Sequence, residues 1–199
     1  MAVVSGGTTL IDNGTLDSAV PSGKLVLLST QTASSSASLS FTSGIDSTYD
    51  SYVFKYYNIH PSTDNAEFQF NMTIDGTNWN VTKTTTTFYS YHIENDSGAG
   101  LTYETAYDLA QGTGFQYLAS DLGNGNDESA SGSMVLYNPS STTFVKHFLH
   151  SGNRYVGSDI SANDFVAGYG NTTSAVTGIQ FKMSSGNIDD GIIKMYGVG

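Results

Sequence analysis

The stretch Phe68-Gln-Phe-Asn-Met-Thr-Ile74 alternates apolar and polar residues without a break and leads into the turn pair Asp75-Gly76. Successive side chains of a β-strand point to opposite faces, so the apolar residues share one face and Gln69, Asn71 and Thr73 share the other. A period of two indicates a strand with one buried face. This segment therefore predicts a sheet that covers a core.

The same alternation recurs along the chain between turn-forming residues. Ten further segments are predicted strands: 25–28, 39–41, 52–57, 88–93, 115–118, 134–137, 144–149, 165–169, 179–183 and 192–196. Besides Asp75-Gly76, turns are predicted at 138–139, 151–153, 185–187 and 190–191, where Gly, Asn, Asp or Pro is suited to turn conformations. Only the segment 103–111 offers even a weak helical pattern.

Many short strands joined by Gly-rich turns predict an all-β fold, a jelly-roll-like antiparallel β-sandwich. A length of 199 residues suits one such domain, which we place at residues 24–199. Residues 1–23 differ from it in pattern and predict an extended N-terminal arm for assembly or docking. The apolar residues of the arm are its predicted interface contacts: Val3, Val4, Leu10, Ile11 and Leu16.

Composition excludes several classes of function. The chain has no cysteine, and therefore no disulfide, thiolate metal site or cysteine nucleophile. Its formal net charge of −11 repels phosphate backbones and anionic membrane surfaces, so we expect no nucleic-acid or membrane partner. The chain begins without the basic and apolar regions of a signal peptide, and it has no apolar run long enough to span a bilayer.

No motif predicts catalysis, and we expect no catalytic residues and no enzymatic activity. The nucleophile motif Gly-x-Ser-x-Gly is absent. His147 and His150 lie three apart in a predicted strand and would point to opposite faces, so they cannot chelate one metal ion without a bulge. His60 is placed in a turn and His92 at a strand end. All four are interpreted as edge or surface histidines.

The loop from Asp121 to Glu128 carries several oxygen ligands on a flexible, Gly-rich backbone. Asp121, Asp127 and Glu128 are therefore weak candidates for binding a hard cation such as Ca²⁺, although their spacing does not match an EF-hand. A solvated acidic loop explains the same residues better. We expect no bound cofactor and no assigned metal.

The single tryptophan, Trp79, follows the turn Asp75-Gly76. Modules of this fold class bind sugars on exposed aromatic side chains, so Trp79 is a candidate glycan-binding residue. Core or interface packing explains such aromatic residues more often. A glycan-active enzyme is a further alternative, and it would need two carboxylates in one cleft.

Two regions carry a resemblance to a family. The first contains Thr30-Gln-Thr-Ala-Ser, Phe41-Thr-Ser-Gly-Ile and Asn58-Ile-His-Pro-Ser, followed by the strand at Phe68. The second closes the chain with Gly178-Ile-Gln-Phe-Lys-Met and Gly191-Ile-Ile-Lys-Met-Tyr-Gly197. Together they resemble uncharacterised structural proteins of tailed bacteriophages, especially marine ones, whose chains end in a similar strand. The resemblance covers most of residues 25–199.

The resemblance implies a non-enzymatic virion protein, made in the host bacterial cytoplasm, that is a capsid decoration or cement protein or a head appendage. Its implied partners are the major capsid protein or other virion proteins, and a homo-oligomer is expected. The alternative is a carbohydrate- or receptor-binding module of a tail fibre or spike, with a surface glycan as its partner. The resemblance supplies no catalytic residues.

Overall fold

A computed structural model describes residues 3–12, 15–16 and 25–199 of the chain. Strands and the connections between them make up this part of the chain. It contains no helix, and therefore no helix that could cross a membrane. The strands are β1 (Val3–Ser5), β2 (Thr8–Asp12), β3 (Thr15–Leu16), β4 (Val26–Thr32), β5 (Leu39–Phe41), β6 (Ser51–Pro61), β7 (Ala66–Thr73), β8 (Lys83–Ile93), β9 (Ala99–Tyr103), β10 (Gln116–Leu122), β11 (Ala130–Tyr137), β12 (Lys146–Val156), β13 (Ile160–Gly170), β14 (Gly178–Met183) and β15 (Ile188–Val198).

Two antiparallel sheets of unequal size form a sandwich, as the sequence predicts. The smaller sheet has the order β10-β7-β14-β5, and the larger has the order β4-β15-β6-β11-β12-β13-β8-β9. The stretch that begins at Phe68 is β7, in the interior of the small sheet. Both faces of β7 are buried, since Gln69, Asn71 and Thr73 are at most 6% exposed, so the expectation of a single buried face is wrong for this strand. One-sided burial is seen in β12, whose residues alternate between buried and exposed over almost its whole length.

The buried faces of the two sheets meet through aromatic side chains. Tyr56 of β6 contacts Phe68 of β7 edge-on with ring centroids 5.1 Å apart. Phe148 of β12 contacts Phe70 in the same way at 4.9 Å. All four side chains are at most 1% exposed. Edge-to-face pairs add about 0.5–1.5 kcal/mol each to the free energy of burial.

All eleven predicted strand segments lie on strands of the sandwich, but two predicted turns are wrong. Residues 151–153 lie in the middle of β12, and the turn between β12 and β13 comes later, at residues 157–159. Residues 190–191 lie inside β15, where the register against β6 shifts. Gly191 adopts φ +131° there, so this glycine serves a β-bulge.

The helical pattern at 103–111 is also wrong. Tyr103 ends β9, which the sequence analysis missed, and the following residues run back along the edge of β8. The backbone N–H groups of Thr85 and Lys83 donate to the carbonyls of Leu109 and Gly112. Pairing with a strand edge satisfies these backbone groups without a helix.

Gly152 occupies a position in β12 where strand β11 and the side chain of Tyr56 come so close that a larger residue would not fit. It pairs with Gly132 of β11, and both glycines lie beside the Tyr56 hydroxyl. A Cβ on Gly132 would lie 2.6 Å from that oxygen and 2.6 Å from the Gly152 Cα. The Tyr56 hydroxyl is hydrogen bonded to Nε2 of His150, which is 4% exposed. The interpretation of His150 as an edge or surface residue is therefore wrong.

The N-terminal arm is more regular than predicted. Strands β1, β2 and β3 pair in chain order to form a three-stranded antiparallel sheet of their own. Val3 and Val4 are exposed. The backbones of Leu10, Ile11 and Leu16 lie in β2 and β3, and their side chains fall outside the described part of the structure. The remainder of the predicted arm, 1–2, 13–14 and 17–23, lies outside the described residues.

Replacement of Gly132 by alanine tests the close approach of β11 and β12. The added methyl group has no room beside Gly152 and the Tyr56 hydroxyl, so we expect a loss of about 1–3 kcal/mol in the free energy of unfolding. Urea denaturation measures this loss. Gly114→Ala is the matched control, since no atom lies within 4 Å of its Cβ position, and we expect a change below about 0.5 kcal/mol. Equal effects of the two substitutions would contradict the assignment.

Candidate functional site

A polar cleft of about 770 Å³ lies where several loops of the sandwich meet. The β6–β7 loop, the β10–β11 loop, the β12–β13 turn and strand β8 all contribute to it. Its lining includes Asp64, Asn65, Tyr89, Tyr91, Thr102, Asp121, Asn124, Gly125, Glu128, Arg154 and Ser158. The volume lies within the range of about 300–1,000 Å³ that is typical of small-molecule sites.

Arg154, the only arginine of the chain, forms part of the cleft wall although it is just 3% exposed. Its Nε donates to Oδ2 of Asp164 at 2.9 Å. Its guanidinium carbon lies 5.2 Å from the ring centroid of Tyr89, in a cation–π contact. Burial raises the pKa of Asp164 to about 6, because the loss of hydration outweighs the attraction of Arg154.

Glu128 fixes the shape of the β10–β11 loop. Its carboxylate accepts a hydrogen bond from the Gly125 N–H at 2.6 Å. Gly123 and Gly157 flank the same carboxylate. A Cβ on Gly123 would lie 2.0 Å from one carboxylate oxygen, and a Cβ on Gly157 would lie 2.9 Å from the other. Three glycines on two loops therefore make room for one half-buried acceptor, which lies between the two loops.

The three candidate metal ligands do not converge. Asp121 lines the cleft, whereas Asp127 lines a separate hollow with His60 and Asp190, and Glu128 borders both. Within residues 3–12, 15–16 and 25–199, no group of three or more His, Asp or Glu side chains is placed to hold a metal ion. Asp121 lies near the end of β10, with φ +49° where the register against β7 shifts, whereas Asp127 and Glu128 lie in the loop that follows.

The histidines are also dispersed. His147 is exposed and His150 buried on opposite faces of β12, as the alternation predicts. Burial lowers the pKa of His150 to about 3, so this side chain stays neutral inside the core. His60 lies within β6 and not in a turn, and its Nδ1 lies 2.7 Å from the Glu128 carbonyl. His92 lies near the end of β8, as predicted.

Trp79 lies away from the cleft, in the connection between β7 and β8. Its side chain is half-buried, and its Cη2 lies 3.3 Å from the Cβ position of Gly178. The backbone carbonyl of Trp79 accepts a hydrogen bond from the Asn71 side chain. These contacts give the indole a packing role over the small sheet.

The outward side of the large sheet carries a second candidate site. Phe88, Val135, Tyr137, Leu149 and Phe165 line a groove of about 390 Å³ there, and we call this surface the apolar face. Phe88 and Phe165 are cross-strand partners with stacked rings 4.9 Å apart. Leu149 is 51% exposed and pairs with Val135. Contiguous exposed apolar residues on a folded domain mark an interaction surface.

The apolar face is also free of carboxylates. Strands β6, β8, β9, β11 and β12 contain no Asp or Glu, and the single acid of β13, Asp164, is buried on the inner side. The chain has 18 acidic residues in all, so they are concentrated elsewhere. Lys55 of β6 pairs with Ser133 at the edge of this groove, so the charge next to the apolar face is positive. A face without carboxylates on a strongly acidic protein is suited to contact with another protein.

Sequence reasoning missed Tyr89, Tyr91, Arg154 and Asp64 as cleft residues, because their proximity depends on which loops meet. One signal was present. A lone arginine at a position that alternation predicts to be buried requires a partner, since unpaired buried charges are rare. Comparison with known proteins identifies no relative: no protein-family model, curated protein or solved structure matches this chain.

Replacement of Arg154 by leucine tests the ion pair beneath the cleft. The substitution leaves the Asp164 carboxyl buried without its partner, so we expect a loss of about 3–5 kcal/mol in the free energy of unfolding at pH 7. Protonation of Asp164 removes the unpaired charge, and the loss relative to the unmodified protein should therefore shrink at pH 5. Urea denaturation at both pH values measures this difference.

The double variant Arg154→Leu, Asp164→Leu is the control, because it removes both charges and should recover most of the lost stability. A loss of equal size at pH 7 and pH 5 would contradict an ionised carboxylate at Asp164.

Proposed function

We propose that this protein is a non-enzymatic structural component of a tailed-bacteriophage virion, a capsid decoration or cement protein or a head appendage. The resemblance in residues 25–199 supports the virion assignment. The observation that carries a structural role is the carboxylate-free apolar face. An assembly protein acts through surfaces and symmetry, and such a face provides a surface for assembly.

The occupant that we propose for the apolar face is a second copy of this chain. Two copies with a net charge of −11 repel each other wherever their acidic loops meet. The apolar face avoids this repulsion because its strands present no carboxylate. A two-fold interface uses the same patch on both partners, and a neutral patch is compatible with itself.

The size of the sheet is sufficient for a stable contact. The six neighbouring strands from β6 to β9 span about 24 Å at the usual strand spacing, and their longest members run about 35 Å. The outward side of these six strands measures on the order of 800 Å², about what each partner contributes to a standard protein interface, and the apolar face is one part of it. Val3 and Val4 of the arm add exposed apolar groups for contact with a capsid or a neighbouring copy.

Among the described residues, the one carboxyl whose pKa is raised lies outside the cleft, although Asp64, Asp121 and Glu128 give the cleft the carboxylates that a glycan-active enzyme would need. Asp164, with its raised pKa, is the type of carboxyl that a general acid requires. It is bonded to Arg154 and does not line the cleft, so it is not placed to act on a substrate there. The alternative role, a carbohydrate- or receptor-binding module of a tail fibre or spike, needs a glycan site, and the cleft suits one better than Trp79 does.

Self-association through the apolar face is tested by Leu149→Asp. Leu149 is half-exposed, so the fold tolerates the change, while a carboxylate in the interface meets an apolar partner and a second carboxylate. We expect the dissociation constant of the oligomer to rise at least about tenfold, as measured by sedimentation velocity over a concentration series.

Ile74→Asp is the matched control, because Ile74 is 44% exposed and lies outside the apolar face, in the turn after β7. A chain that is monomeric at all concentrations, or one that both substitutions affect equally, would overturn the proposed interface. Thermal denaturation of the variants establishes that they remain folded.

The virion assignment is tested by immunogold electron microscopy of purified phage particles from the source culture, with an antibody against residues 25–199. Label distributed over the head is the expected result. Label restricted to the tail tip would favour the receptor-binding alternative over capsid decoration. Particles without label, and without this chain in their mass-spectrometric inventory, would refute a virion role.

A further inference from the structure

We infer that the polar cleft binds a neutral saccharide. The cleft lies among the loops and on β8 residues Tyr89 and Tyr91, whereas the apolar face lies on the outward side of the large sheet. The inference therefore does not depend on the proposed assembly role. It rests on the charge, the aromatic side chains and the available hydrogen-bonding groups of the cleft.

The charge of the cleft selects against anionic ligands. Asp64, Asp121 and Glu128 line it, and Arg154 is the single cation in the lining. The charge of Arg154 is opposed by Asp164 directly behind it. Phosphates, sulfated sugars and sialylated sugars would approach an excess of negative charge, so an uncharged ligand is favoured.

Hydrogen-bonding groups remain available in the cleft. Among the described residues, the side chains of Asp121 and Asn124 have no protein hydrogen-bond partner, although both line the cleft. Arg154 uses only its Nε in a hydrogen bond within the same part of the chain. A carboxylate acceptor, an amide and spare guanidinium donors complement sugar hydroxyls, which both donate and accept.

Tyr89 and Tyr91 provide the apolar part of the site. Both are half-buried, and their ring centroids lie 6.0 Å apart. Residues two apart on a strand share a face, so the two rings lie side by side in the cleft wall, with their planes inclined at 44°. A sugar ring presents C–H groups on its faces and hydroxyls at its edge. It therefore matches an aromatic surface bordered by polar side chains.

The construction of the cleft distinguishes it from an ordinary gap between loops. Glu128 is held by the Gly125 N–H and fits between glycines of two loops, and Arg154 is held by Asp164 and Tyr89. Both groups are therefore fixed before a ligand arrives. A site with fixed polar groups loses less conformational entropy on binding than a mobile one.

The test is a glycan array that carries neutral oligosaccharides beside sulfated and sialylated ones, probed with the full chain. The neutral glycan with the strongest signal is then titrated by NMR. We expect retention of neutral glycans in preference to anionic ones, and at least tenfold weaker binding by both Tyr91→Ala and Asp121→Asn. Asparagine tolerates the left-handed backbone at position 121, so the second variant keeps the loop intact.

Phe144→Ala is the control variant, because Phe144 is an exposed aromatic residue outside both the cleft and the apolar face, and it should bind the glycan unchanged. Three results would overturn the inference: no retained neutral glycan at millimolar concentration, a preference for anionic glycans, or unchanged binding by both cleft variants. Each result is independent of whether Leu149→Asp alters self-association.

Discussion

The structure depends on the aromatic contact between the two sheets. Tyr56 packs on Phe68 and Phe148 packs on Phe70, and these pairs determine which side of each strand is buried. Because side chains alternate along a strand, the choice of inner face determines the outer face as well. The apolar face of the large sheet is thus a consequence of a core that other residues already fill.

The unequal size of the sheets has a further consequence. Eight strands cannot be covered by four, so loops and chain segments complete the enclosure. The segment after β9 runs along β8, and the β6–β7, β10–β11 and β12–β13 connections meet around Arg154. Polar groups collect where these connections meet, while the apolar face on the outward side of the large sheet carries no carboxylate. The apolar face and the polar cleft are thereby separate surfaces of the protein.

The structural role of a glycine cannot be assigned from the residues around it in the sequence. Gly76 and Gly186 occupy predicted turns with positive φ, but Gly152 and Gly191 lie inside strands. The same residue type permits a turn, a bulge or the close approach of two backbones, and the sequence does not distinguish these uses. Gly152 of β12 is required because Gly132 of β11 and the Tyr56 hydroxyl of β6 lie too close to it to leave room for a side chain. This contact joins three separate strands.

The sequence by itself determined the approximate positions of the sandwich strands other than β9, the all-β class and the acidic charge, because alternation and composition are local properties of the chain. It also placed His147 and His150 on opposite faces. Only the tertiary structure decided which strands are neighbours, that Arg154 pairs with Asp164, and that Asp121 and Asp127 face different hollows. Those relations join residues far apart along the chain, and they exist only when the strand order brings their loops together.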